Sequence, residues 1–260
     1  LNGGDVWQAY CRPIDAADDW EEEAELALAS CSPEQIVLCT PVTTQLEITD
    51  AMALAESFRT QLAKRVRILL ATSGIDNATQ TWAQYATAQI ALQDGIAASR
   101  VGLVPLIHGN DIGVLAGRLC RPDVSIADSP MRTKTGALIG LGEAPLDVND
   151  MPYDYAIAEQ LDADRLSVAQ IYPDYDGVYW ADANLLDAEG GDYQVIENSR
   201  VVDKAARRVR IKAIQMIADR SINKTPISQD YTRSELKQPL RSMANGTVVN
   251  GRPEPGDIQP

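Results

Sequence analysis

The chain has 260 residues, 45% hydrophobic and 23% charged, a composition that supports one large or two modest globular domains and excludes a disordered or fibrous chain. Its 23 Lys+Arg against 37 Asp+Glu leave a formal net charge of −14, which repels phosphate-rich surfaces, so neither nucleic acid nor membrane is an expected partner. A chain this long buries about 70 to 75% of the surface its unfolded form exposes, and metals or disulfides are not needed to hold it together.

Four cysteines, Cys11, Cys31, Cys39 and Cys120, form no CxxC pair and read as reduced, mostly buried thiols. No window approaches about 18 consecutive apolar residues and the N-terminus lacks a basic-then-apolar layout, so assembly in a cytoplasm is the expectation. The sequence starts at Leu1 rather than Met and ends in a proline-rich stretch, 253–260, which reads as a piece of a longer protein.

Residues 1–128 alternate short β-branched runs with longer segments of helical period, predicting an α/β fold: a three-layer core with a largely parallel sheet flanked by helices. The predicted strands, 36–40 (IVLCT), 66–72 (VRILLAT) and 101–107 (VGLVPLI), are apolar almost throughout, as strands covered on both faces must be. Between them, 18–30, 48–64 and 79–99 place apolar residues three and four apart, as in Met52, Ala55, Phe58 and Leu62, and are predicted crossover helices. A further short helix over 111–120 is expected to start on Asp111 as its N-cap.

From Pro122 the texture changes to short apolar runs broken by Gly136, Gly140, Gly142, Pro145 and Pro152. Residues 171–197 set Tyr172, Tyr175, Tyr179, Trp180 and Tyr193 among aspartates and read as ordered strand and turn. Residues 202–221 return to helical period with divided faces: Val202, Ala206, Val209, Ala213, Met216 and Ile217 on one side, Lys204, Arg207, Arg208 and Lys212 on the other. Two Asn-Gly pairs and three prolines in 245–260 favour a hairpin or an unstructured end. The expected organisation is an α/β core over 1–128, a mixed-strand region with a long amphipathic helix over 129–243, and a linker or hairpin over 244–260.

His108 is the only histidine, so multi-histidine metal sites are excluded, and no metal or cofactor is expected. His108 follows a predicted strand in His108-Gly109-Asn110-Asp111, where α/β proteins place ligands, but no serine sits in a GxSxG elbow. GxxxxGK[ST] is absent, and Gly140-Leu141-Gly142 runs into Glu143-Ala144-Pro145, where a dinucleotide fingerprint needs a third small residue opening a helix. The tyrosines among 174–192 suit either a sugar-stacking platform or a loop anchored to a core. The run Asp18, Asp19, Glu21, Glu22, Glu23 and Glu25 reads as the solvated first turn of a helix. Four cations on one helix face of an acidic chain require compensation, from a charged partner surface or from a salt-bridged face within the molecule.

The segment 172–180 (YPDYDGVYW), then Asn184-Leu185-Leu186, then 194–207 (QVIENSRVVDKAAR), resembles in residues and order the bacteriophage contractile-tail sheath proteins, relatives of R-type pyocin and type VI secretion sheaths. Asp176 departs from the glycine or aromatic residue of that pattern. The resemblance implies a structural subunit of the virion tail, assembled in the host cytoplasm, that turns over no substrate. Its partners would be other copies in stacked hexameric rings, the tail tube and the baseplate, and terminal arms would add strands to neighbouring copies. This chain is expected to lack those arms and to be monomeric or weakly associated. Lys204, Arg207, Arg208 and Lys212 are the expected contact to the tube or to an acidic neighbouring subunit. The alternative is an α/β hydrolase or ligand-binding protein using Ser73-Gly74, His108 and Asp111.

Overall fold

The computed structural model describes residues 8–14, 19–249 and 252–258; Asp18, the Asn250-Gly251 pair and both chain ends lie outside them. Two compact units are present. The first takes Leu1–Pro122 and Ser129–Ile196, the second Asp123–Asp128 and Glu197–Pro260.

The first unit is built on a parallel sheet in the order β1 (Gln35–Val42), β2 (Arg67–Thr72), β3 (Val101–Pro105). Helix α1 (Trp20–Ser30) precedes it, α2 (Gln45–Gln61) and α3 (Trp82–Gln93) form the crossovers, and α4 (Asp111–Leu119) follows β3. Every residue of β2 is buried, because side chains alternate across a strand and both faces here are covered. Ile68 and Leu70 join Ile48, Ala51, Leu54 and Phe58 of α2 in one core cluster. Leu69 and Ala71 join Ile112 and Leu115 of α4, with Trp180 and Leu185, in the other.

The helix starts follow capping chemistry. Thr44 accepts from the Glu47 amide while the Glu47 carboxylate accepts from the Thr43 and Thr44 amides at 2.9 and 2.8 Å, a capping box; Thr81 and Gln84 form a second one. Helix α4 departs from its predicted start: Asn110 occupies the N-cap without a side-chain bond, and Asp111 is the first helical residue. Its carboxylate turns back to His108 instead.

After Ser129 the first unit continues with α5 (Tyr155–Ala163) and an antiparallel pair, β4 (Ala169–Ile171) and β5 (Val178–Trp180). The connection between those strands places Asp174 at φ 61° and Gly177 at φ 105°. A conformation that far into positive φ favours glycine at 177.

The second unit holds α6 (Ile196–Gln215, of which Ile196 belongs to the first unit), α7 (Pro226–Ala244), and the strands β6 (Thr247–Val249) and β7 (Arg252–Glu254). Lys212 pairs with Glu235 at 2.6 Å and Arg208 donates to Ser242 Oγ at 2.9 Å, so α6 and α7 run antiparallel. Strands β6 and β7 pair antiparallel, Val249 opposite Arg252; the Asn250-Gly251 pair, on which the hairpin expectation falls, lies outside the described residues. Gly256 then passes so close to the Ala244 backbone that a Cβ would lie 2.5 Å from its carbonyl carbon; only glycine fits this approach. The Ile258 amide closes the strap on Met243 O at 3.2 Å. The cysteines depart from their expected burial: Cys11, Cys39 and Cys120 are exposed and Cys31 is half-buried, Cys39 lying on the edge strand β1 and Cys120 at the end of α4.

Candidate assembly interface

Lys204, Arg207, Arg208 and Lys212 all lie on α6 within the second unit. Lys204 Nζ lies 2.6 Å from Asp257 Oδ2, and Asp257 Oδ1 accepts from Ser125 Oγ at 2.8 Å. That carboxylate ties α6, the 123–128 segment and the C-terminal strap together. Lys212 and Arg208 engage α7 as described, and Arg207 is exposed. The stripe is thus continuous on the helix and laced to its own unit through carboxylates and a hydroxyl.

Burial pushes the Asp257 carboxyl up, but the bonds from Lys204 and Ser125 outweigh it and hold its pKa below the ordinary 3.8. A depressed folded-state pKa contributes stability that is complete above 3.8 and is lost as pH falls through the lower folded value. The protection of the amides in 252–258 relative to an unfolded chain at the same pH should therefore stay high at pH 5 to 7 and fall on acidification below about pH 4. In Asp257→Asn that acid step should vanish; an unchanged profile would show that the strap is held by other contacts.

The expected apolar face of α6 is not its buried face. Ser199 and Asp203 are buried, while Val202 is 39% exposed and Ile217, expected on the same face, lies past the end of the helix and is 72% exposed. The four-residue spacing of Ser199 and Asp203 places them on one side of the helix, and hydropathy patterning alone does not reveal a buried side made of small and polar residues.

The alternative site at the strand end is a packed joint. His108 Nδ1 lies 2.7 Å from Asp111 Oδ1, the His108 amide donates to Asp111 Oδ2 at 2.7 Å, and the two side chains are 6% and 1% exposed. Tyr153 packs edge-on against the imidazole at a centroid distance of 5.6 Å. Burial, then the Asp111 charge, raises the Tyr153 hydroxyl well above its ordinary pKa, and that hydroxyl donates to Ala169 O at 2.8 Å. Ser73 accepts through its carbonyl from Tyr85 and Gln89, and among the described residues no hydrogen bond joins it to His108.

The aromatic motif divides in two. Trp180 is fully buried, whereas Tyr172 and Tyr175 tilt against Tyr179 at 5.8 and 5.3 Å, with Tyr175 exposed. The anchored-loop reading describes this arrangement: one end packs into the core and the other reaches the surface. No described helix is long and apolar enough to cross a membrane.

Comparison with known proteins places these elements in a family. The DUF2586 N-terminal domain matches residues 1–184 and the DUF2586 C-terminal domain matches residues 192–260. The chain belongs to the DUF2586 family. Over 215 residues it is 47% identical to the “Putative tail sheath protein” of Haemophilus phage HP1 (strain HP1c1), a match covering 80% of this chain and 57% of that protein. This DUF2586 chain therefore spans little more than half the length of that relative. Among solved structures it is similar to the helical sheath of the anti-feeding prophage in its contracted state, with a TM-score of 0.56 and 14% identity over 88% of this chain and 60% of that one. That likeness concerns the fold. The join between the two family domains, at 184–192, falls close to the start of α6 at Ile196.

Proposed function

We propose that this DUF2586 chain is a subunit of a phage contractile tail sheath, polymerising around a tail tube in the virion tail and driving it through the host envelope by contraction. The observation that carries the reading is the 47% identity with the HP1 protein named for the tail sheath, with a sheath-like fold beside it. Tail tube and baseplate are its further partners, and assembly takes place in the host cytoplasm. The role is structural rather than enzymatic.

The charge distribution suits a polymer. The first unit carries 11 basic and 28 acidic residues, net −17, and the second 12 basic and 9 acidic, net +3, so copies present faces of opposite sign to one another. Lys204, Arg207, Arg208 and Lys212 lie on the cationic unit and serve in this reading as contacts to the tube or to an acidic neighbour. Each half-exposed pair contributes only ~0.2 to 1 kcal/mol, so single contacts exchange readily while many together hold a sheath.

In the full-length protein co-produced with its tube protein, electron microscopy should show striated hollow cylinders around tubes. Arg207→Glu with Arg208→Glu should leave the tubes bare while the helical circular dichroism is retained. Normal sheaths from that variant would remove the stripe from the interface, and no sheath from the parent would overturn the functional reading itself.

A further inference from the structure

The α6–α7 pair has 11 basic and 5 acidic residues over 196–244, and its connecting end is apolar as well as cationic. Ile214 and Ile217 near the end of α6 are 48% and 72% exposed, and Ile227 and Tyr231 in the first turns of α7 are 84% and 53% exposed. The Arg208–Ser242 and Lys212–Glu235 contacts fix the antiparallel pairing that brings these four residues to the same end. Arg210, Arg220 and Lys224 are exposed along the same stretch. Large aliphatic side chains gathered in this way on one exposed element mark an interaction surface.

A matching surface of opposite charge exists on the first unit. Residues 146–155 form a tightly held knuckle around buried Asp147, whose Oδ1 accepts from the Asn149 and Met151 amides at 2.7 and 2.9 Å and whose Oδ2 accepts from the Trp82 amide at 3.3 Å. The Trp82 indole donates to Met151 O at 2.9 Å. Burial acts to raise the Asp147 pKa, but the three amide bonds prevail and hold it below the ordinary value. The knuckle thus has a fixed shape, and it directs Val148, Met151 and Tyr155 outward, 42%, 57% and 39% exposed. Asp150 and Glu159 are exposed beside them, with Glu159 four residues from Tyr155 and on the same face of α5.

We infer that the α6–α7 tip of one copy docks on the 146–155 knuckle of a second copy, isoleucines against Met151 and Tyr155 and arginines against Asp150 and Glu159. The inference rests on the sheath reading in naming a second copy, and charge complementarity between the two units selects that occupant. Because tip and knuckle are different surfaces, the contact is heterologous, and heterologous contacts propagate into rings or helical filaments rather than stopping at a twofold dimer.

The test uses two variants that each disable one surface, Ile227→Asp at the tip and Met151→Asp at the knuckle. Both positions are exposed, and an acidic residue in the first turn of α7 favours the helix. By sedimentation velocity over a concentration series, the parent chain should self-associate, less so as salt is raised. Each variant alone should associate about tenfold or more weakly. An equimolar mixture should form dimers and no larger species, since one intact tip meets one intact knuckle. A parent that stays monomeric, variants that associate like the parent, or a mixture that stays monomeric would each overturn the contact. Loss of tube-protein binding by Ile227→Asp with unaltered self-association would assign the tip to the tube and likewise overturn it. Striated cylinders formed by full-length protein carrying both substitutions would sink this contact while leaving the sheath reading intact.

Discussion

Asp111→Ala should destabilise the first unit by about 3 kcal/mol, which for a chain of this size lowers the thermal midpoint by about 6 to 12 °C. Asp111 is 1% exposed and its two oxygens hold the His108 ring and the His108 amide, both at 2.7 Å. Alanine leaves both groups without that acceptor, and a buried polar group without a partner costs about 1 to 3 kcal/mol. Water cannot readily substitute, since the imidazole is covered by Tyr153 and the Gly142 backbone sits so close to His108 O that a Cβ there would lie 2.4 Å away. Asp111→Asn keeps one acceptor oxygen and should lose about half as much. Urea unfolding followed by circular dichroism gives the ranking, and an alanine variant as stable as the parent would show that His108 finds another partner. The strand end that α/β proteins often use for ligands is here a hydrogen-bonded joint setting the start of α4.

Much of this architecture is legible in the residues because single physical rules dominate there. The strand 67–72 must be covered on both sides because it carries no polar alternation, and Ile68 and Leu69 do enter separate core clusters. Helix α7 is hidden in the sequence, since Pro239 lies inside it and proline ordinarily ends a helix; the Thr225-Pro226 start is its one local signal. No local pattern marks the knuckle either. Its aspartates read as loop residues until Asp147 is seen to accept from three amides, and a hydrogen bond to Trp82 spans 65 positions of sequence. The cationic stripe follows from periodicity alone, but the carboxylate facing Lys204 comes from Asp257, 53 positions away, which no local pattern announces.

Trp180→Ala should cost about 3 to 5 kcal/mol, comparable to or larger than the effect expected from Asp111→Ala, while Trp180→Phe should stay within about 1 kcal/mol of the parent. Trp180 is fully buried at the end of β5, among Leu69, Ala71, Val104 and Leu115, so truncation opens a cavity beneath the sheet. Its indole Nε1 has no hydrogen-bond partner among the described residues. Phenylalanine removes that unsatisfied donor along with some volume, and the two effects oppose each other. Guanidinium unfolding monitored at far-ultraviolet wavelengths separates these outcomes, and a phenylalanine variant as weak as alanine would mean that the indole N–H does have a partner. Trp180 closes the nine-residue motif by which the chain resembles tail sheaths, and it pairs with Ala169 across β4. Its loss should loosen β4 and β5 and with them the intervening turn that carries the exposed Tyr175. The motif then works as an anchor, its tryptophan fixed in the core so that the turn is held in one conformation.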